Sequence, residues 1–439
     1  MNSEIKKTLR IAYPIILGNF SQMLLGVIDI IMVGAIDHKQ LAAASLVTSL
    51  LTIPFVIGFG LTRSISPMVA ISNGRKDTAA VSHYMANGVV LCLTFSVVAA
   101  FLIHFLHTLI FYIGQDPEVV TLALPYLRLI GWSIIPMLLF MSVKEFTDAL
   151  EQTRVAMLLS LLALPVNIFL NWLLIYGKWG FPRLELAGAG WATLITRILL
   201  AVSLIFILFN QSTLRIYIRK RSEAWKIKIS TIRELLKIGI PSSLQYSMEA
   251  GAFAISGVII GWFGAAQQAA HQIALSCASL TFMIAIGISV AGSIRVSNAY
   301  GREDWSQLRQ IGRSTLQAGL LIGAVFAFIF IAFHQYLPAV FNQEASVISI
   351  AATLLILAAL FQVSDATQAI GVGLLRGIRD VKRPTLYVAL AYWIVGLPLG
   401  YFLSVSLEMK ATGIWIGFVA GLSISSLLLN LRFIKLSDG

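Results

Sequence analysis

Twelve long apolar runs decide what this chain can fold into. They lie near 11–36, 42–62, 85–111, 119–143, 155–176, 186–209, 235–262, 268–294, 313–334, 348–375, 386–407 and 411–433. A helix rises 1.5 Å per residue, so about 20 apolar residues cross the ~30 Å hydrocarbon layer of a bilayer. Every run is long enough, and the joints between them, such as Gly74-Arg75-Lys76-Asp77 and Gly301-Arg302-Glu303-Asp304, are short and polar. Lipid offers the backbone no hydrogen-bond partner, so these runs must be helical. The expectation is an all-α integral membrane protein of twelve transmembrane helices. With 58 % of residues apolar and 12 % charged, the chain falls outside ordinary soluble enzymes, disordered segments and secreted disulfide scaffolds. Its two cysteines, Cys92 and Cys277, sit inside apolar runs and form no metal-binding spacing. The first run is too long for a signal-peptide core and contains Gln22 and Asp29, so it reads as a retained span.

The net charge of +12 has a topological explanation. With both termini placed in the cytoplasm, 26 of the 32 lysines and arginines fall on cytoplasmic joints and ends. The opposite face holds Lys39, Arg128, Lys178, Arg183 and Lys410, and Arg197 lies within a span. Such a split is the positive-inside pattern of a multi-pass protein of the cytoplasmic (inner) membrane. The basic balance therefore calls for no nucleic acid. The joints leave no room for a soluble assembly domain, and a monomer is expected.

The chain repeats itself. Residues 9–77 match 236–304 at a constant offset of 227, with Pro14/Pro241, Gly34/Gly261, Gln40/Gln267, Gly60/Gly287, Ser66/Ser293, Gly74/Gly301 and Asp77/Asp304 among the identities. Six spans per half return the chain to its starting side, so the two halves share one orientation. They are expected to form two six-helix bundles related by a pseudo-twofold axis along the membrane normal, with a substrate cavity between them, as in parallel-repeat transporters. The predicted organisation is an N-lobe over 1–209, a basic cytoplasmic linker over 210–234 and a C-lobe over 235–439.

Ionisable groups within spans are functional candidates because hydrocarbon penalises an unpaired charge by several kcal/mol. Asp29 lies in span 1, Glu249 in span 7 and Asp365 in span 10, each among apolar neighbours. Gln22 occupies the repeat position of Glu249, and Gln362 precedes Asp365 by three residues, sharing its helix face. Asn167 and Asn171, one turn apart after Pro165, could carry a proton or bind a cation near Asp29, or join two helices. Arg197 could balance one of the acids or tie two helices together. Tyr246, Phe253 and Phe361, near the acids, are candidates to line a cavity for flat cations by stacking and cation–π contact. His271 reads as a hydrogen-bonded structural residue. The sequence contains no phosphate loop, H-E-x-x-H or nucleophile elbow, and His104 with His107 has no evident catalytic partner set. Neither an enzyme nor a resident cofactor is expected.

Four stretches carry a family resemblance: Val27-Ile28-Asp29-Ile30-Ile31-Met32-Val33-Gly34, Ala269-Ala270-His271-Gln272-Ile273-Ala274, Gly373-Leu374-Leu375-Arg376-Gly377-Ile378-Arg379-Asp380, and Ala391-Tyr392-Trp393-Ile394-Val395-Gly396-Leu397-Pro398-Leu399-Gly400. Together with the six-plus-six repeat they make the whole chain resemble the multidrug and toxic compound extrusion (MATE) transporters, in particular the NorM branch. The resemblance implies a multidrug efflux antiporter that exports organic cations in exchange for Na+ or H+ by alternating access. It implies cation coupling at Asp29 in the N-lobe and a Na+ or H+ site at Glu249 and Asp365 in the C-lobe. Some relatives carry an acid where this chain has Asn171, a departure that bears on the N-lobe site. A lipid-linked precursor flippase of the wider superfamily is the alternative. It would favour a more cationic cavity than one in which acids outnumber Arg197.

Overall fold

The computed structural model describes residues 3–112, 114–219 and 226–437. Among them there is no β-strand, and the helices follow one another through short joints. In chain order they are α1 (Ser3–Gly34), α2 (His38–Thr62), the short α3 (Ile65–Gly74) that continues it, α4 (Thr78–Leu106), α5 (Pro117–Ala149), α6 (Thr153–Tyr176) and α7 (Glu185–Asn210). After the short α8 (Ser212–Arg219) come α9 (Ile229–Gly261), α10 (Ala265–Gly301), α11 (Trp305–Ala332), the single turn α12 (Tyr336–Phe341) and α13 (Ala345–Gly377). The chain then runs through α14 (Lys382–Ala389) and α15 (Leu397–Tyr401) to α16 (Lys410–Ser437). Part of the expected linker, 220–225 with Lys220 and Arg221, lies outside the described residues.

Eleven of these segments are long and apolar enough to cross a membrane, counting α2–α3 and α14–α15 as one span each. The twelfth span is α9, 33 residues long. The run Pro241-Ser242-Ser243-Leu244-Gln245-Tyr246-Ser247-Met248-Glu249 makes it more polar than the rest. The span of Lys382–Ser406 is less regular than its sequence suggests: Leu390–Gly396 and Phe402–Ser406 wind as π turns on either side of Pro398. Proline supplies no N–H to the ladder, and π turns redistribute the hydrogen bonds around it.

The chain divides into two compact units, Leu17–Ser243 and Met1–Ile16 with Leu244–Gly439. These differ from the expected lobes at both ends. The start of α1 packs with the C-terminal unit and the start of α9 with the N-terminal unit. The two dividing points, at Ile16 and Ser243, are 227 residues apart, the offset of the repeat.

Each unit is built around one helix. In the N-terminal unit α5 packs against α2, α4 and α7; in the C-terminal unit α13 packs against α10, α11 and α16. The repeated glutamines perform one task twice. Gln40 accepts a hydrogen bond from the Leu186 N–H at the start of α7 (3.2 Å), and Gln267 accepts one from Ala411 at the start of α16 (3.3 Å). The repeated glycines mark close helix approach. A Cβ on Gly60 would lie 2.3 Å from Ser243 Cα, and one on Gly287 would lie 2.3 Å from Ile16 Cγ1. On α16, a Cβ on Gly417 would lie 2.4 Å from the Gly396 carbonyl and 2.7 Å from Gly400 Cα. Small residues let membrane helices approach this closely, and dispersion then holds them.

Several cations that the sequence assigns to joints are instead buried inside helix bundles: Arg63, Lys144, Arg295 and Arg376 are all 7 % exposed or less. Arg63 donates to Glu145 (2.7 Å), Lys144 to Asp148 (2.8 Å) and Arg295 to Glu4, to the Glu4 carbonyl (2.9 Å) and to Thr8 (2.6 Å).

Filling the Gly60 contact tests this packing. Overpacking a tight interface costs about 1–3 kcal/mol. Gly60→Ala should therefore lower the unfolding temperature of the detergent-solubilised protein. Gly257→Ala on α9, where a Cβ meets nothing within 4 Å, should leave it nearly unchanged. Equal effects of the two would show that the Gly60 contact does not hold α9 in place.

Candidate functional site

In the N-terminal unit, Asp29 sits on α1 and is 7 % exposed, turned into the bundle rather than toward lipid. Two neutral donors meet it. Asn171 on α6 gives its Nδ2 to Oδ1 at 2.6 Å, and Thr193 on α7 gives its hydroxyl to Oδ2 at 2.6 Å. Asn167, one turn before Asn171, accepts from the same Nδ2 at 3.1 Å. The spacing that put both amides on one face thus brings them together beside Asp29. The Asn171 Oδ1 is buried with no hydrogen-bond partner, leaving an oxygen acceptor one amide away from the carboxyl.

Arg197 lies one turn after Thr193 and feels the charge of Asp29 without an ion-pair contact. It donates to Ser133 on α5 (2.5 Å), and its guanidinium stands 5.4 Å from the centre of the Phe55 ring on α2. It is thus an electrostatic neighbour of the acid and is hydrogen-bonded from α7 to α5. Gln22 is elsewhere on α1, donating to Ser160 on α6 (3.3 Å).

In the C-terminal unit, Glu249 on α9 and Asp365 on α13 are 116 residues apart in the chain, yet Asp365 lies within electrostatic reach of the Glu249 carboxyl. Asp365 is 5 % exposed and Glu249 partly buried. Gln368 on α13 donates its Nε2 to Glu249 Oε1 at 3.0 Å, and Gln245, one turn back on α9, also supports that carboxyl. Among the described residues none donates a hydrogen bond to the Asp365 carboxyl. Gln362 accepts from Thr281 on α10 (2.6 Å), and its Nε2 is buried without a partner, as is the Gln368 Oε1.

Arg376 lies farther along α13. It interacts electrostatically with Glu249, and its guanidinium stands 5.7 Å from the Tyr246 ring centre. Among the described residues no group of three His, Cys, Asp or Glu is placed to hold a metal ion.

An aromatic wall adjoins these acids. Phe253, one turn after Glu249, meets Phe418 (4.8 Å between ring centres), Tyr392 (6.0 Å) and Phe361 (6.4 Å), and Phe361 meets Trp415 (5.6 Å). Phe361 and Trp415 are fully enclosed as helix packing, while Phe253 keeps part of its ring exposed. Tyr246 is placed beside Arg376 rather than in this wall. His271 is buried and accepts from the Trp415 indole (3.2 Å), a structural contact.

The sequence reading passed over Thr193, Ser133, Gln368, Tyr392 and Arg376. Gln368 was within reach, since it stands three residues after Asp365 as Gln362 stands three before. Thr193 was also within reach, one turn before Arg197. Arg376 looks like a joint residue in the sequence because its helix outruns the apolar stretch.

The Asp29 network has a direct test. Removing one donor from a buried carboxyl costs about 1–3 kcal/mol. Thr193→Val should lower the unfolding temperature, and the same replacement should cost less in an Asp29→Asn background. Equal costs in both backgrounds, a null result in the double-mutant cycle, would show that the hydroxyl does not act through the carboxyl.

A family model described as MatE matches residues 14–173 and 241–402. The chain is similar to the "Probable multidrug resistance protein NorM" of Rhizobium meliloti (strain 1021), 32 % identical over 99 % of this chain and 94 % of the relative. It is likewise similar to the "Multidrug resistance protein MdtK" of Yersinia pseudotuberculosis serotype O:1b, 31 % identical over 98 % of this chain and 95 % of that protein. Its fold matches that of the eukaryotic MATE transporter AtDTX14 with a TM-score of 0.88 at 22 % identity, covering 99 % and 97 % of the two chains. With these matches running nearly end to end and its acids enclosed in helical bundles, the chain belongs to the MatE family of multidrug and toxic compound extrusion transporters, in its NorM branch.

Proposed function

We propose that this protein is a multidrug efflux antiporter of the inner membrane, exporting organic cations while Na+ or H+ enters. One observation carries the reading. In the C-terminal unit Asp365 lies within electrostatic reach of Glu249 inside a membrane bundle, and amides rather than a close ion pair hold the Glu249 carboxyl. A carboxylate drawn out of water is costly until a proton, a metal ion or an organic cation compensates it. Structural carboxylates elsewhere in the chain are held by permanent cations, as Glu145 is by Arg63. Glu249 and Asp365 have no such contact, and their compensation is left to something mobile.

Exclusive occupancy is what couples the fluxes. An inorganic cation or proton on the pair disfavours an organic cation, and each ligand shifts the balance of access states by its differential affinity for them. Asp29, with neutral donors on both oxygens, is a second coupling position. The names of the NorM and MdtK relatives point to the same class of activity. The half-buried ring of Phe253, one turn from Glu249, is suited to stack on a flat cationic compound. The same reading places both termini in the cytoplasm and the protein as a monomer, with transport in place of catalysis.

The test is dye efflux from vesicles reconstituted with the purified protein, under a Na+ gradient alone and a pH gradient alone. Asp365→Asn should abolish ion-driven efflux while the protein remains folded, and Glu249→Gln and Asp29→Asn should lose or weaken the coupling. Full ion-driven transport by Asp365→Asn would overturn the assignment of the pair.

A further inference from the structure

Arg63, Lys144 and Arg295 are buried, and each is held by a carboxylate, of Glu145, Asp148 and Glu4 in turn. Arg376 is not. It is 5 % exposed, and its Nε and Nη2 are buried with no hydrogen-bond partner. Among the described residues no ion pair reaches it. It stands in the last turn of α13, where the helix end favours a cation, and the Tyr246 ring 5.7 Å away attracts one, but neither takes those N–H groups. A guanidinium drawn out of water without a paired anion is strongly disfavoured, so its compensation must come from a charge it does not touch.

The anion on the same face is Glu249. Arg376 follows Asp365 by eleven residues on α13, about three turns, and so shares its side of the helix. Gln368, between them, donates to Glu249 Oε1, and Tyr246, beside Arg376, precedes Glu249 by three residues on α9. These two contacts lay α9 against this face of α13. The guanidinium acts electrostatically on the Glu249 carboxyl without an ion-pair contact.

We propose that Arg376 is a built-in counter-charge to Glu249 that competes with the transported cation and sets how readily the site releases it. The inference rests on the assignment of Glu249 as a cation site and names the group that regulates that site. Beside an occupied carboxylate, a fixed positive charge repels the bound cation. Beside an empty one, it supplies part of the compensation that the cation has taken away. Loaded and unloaded states are thereby brought closer in free energy, as turnover requires. Arg376 touches no ligand; it is a positioning residue that acts through Glu249.

Ethidium, a flat organic cation, serves as the probe. Its binding to the full-length protein in detergent is followed by fluorescence, and its efflux from reconstituted vesicles by rate against concentration. At the effective dielectric of a protein interior a unit charge across such a gap changes affinity roughly tenfold, so R376Q should bind ethidium more tightly by that factor. Its KM and its maximal efflux rate should both fall. R376K, which keeps the charge, should stay close to the parent in both. In a Glu249→Gln background R376Q should leave ethidium affinity unchanged, because the carboxylate through which it acts is gone. If R376Q does not fold, R376M, which keeps an unbranched stem without the charge, takes its place. Unchanged or weaker ethidium binding by the charge-free variant, or the same gain with and without the Glu249 carboxylate, would overturn the proposal. Ethidium binding that Glu249→Gln alone leaves intact would overturn the assignment of Glu249 itself, and the proposal with it.

Discussion

The structure is organised around the free energy of a charge removed from water. Hydrocarbon solvates neither backbone amides nor ionised side chains, so helices answer the first demand and buried partners the second. The chain answers the second in two chemically different ways. Near the ends of its helices it pairs acid with base: Arg63 with Glu145, Lys144 with Asp148 and Arg295 with Glu4, each pair close to fully buried. Breaking such a pair strands a charge in a poor solvent, which makes these contacts rigid fixtures of their bundles. Deeper in the spans it uses amides and hydroxyls, which orient a carboxyl without neutralising it.

That contrast separates scaffold from site. A carboxylate held by a guanidinium has no reason to release its partner. The Asp29 carboxyl, held by Asn171 and Thr193, and the Asp365 carboxyl, within reach of Glu249, have no guanidinium or ammonium in contact with them. The two halves have also specialised. The N-terminal unit carries its acid on α1 at Asp29 and the polar Gln22 two turns earlier. The C-terminal unit carries its acid at the repeat position of Gln22, and a buried Ser256 at that of Asp29. The two repeats thus carry their acids at different points along the equivalent helix.

Most of the architecture was legible in the sequence because hydrocarbon enforces it residue by residue. Span length, the polar joints and the repeat register all follow from local composition, and Asp29, Glu249 and Asp365 stand out against apolar neighbours. That Asn167 and Asn171 share one face followed from helical spacing; that this face meets Asp29 did not. What escaped was whatever depends on which helix meets which. Arg63, Lys144 and Arg376 looked like loop charges, since an apolar window ends where they begin while the helix continues past them. Thr193 and Ser133 are unremarkable until α7 and α5 are laid together. The π turns around Pro398 left no pattern in hydropathy, because a run of apolar residues reads alike whatever its winding.

The division of the chain at Ile16 and Ser243 makes the two halves of the sequence depend on each other. The opening turns of α1 are packed into the unit formed by the second half of the sequence, and those of α9 into the unit formed by the first, as the contacts at Gly287 and Gly60 show. Neither half of the polypeptide, made alone, contains everything its own bundle needs. Cutting the chain between its repeats would therefore leave each bundle short of helical turns that only the other half of the sequence supplies.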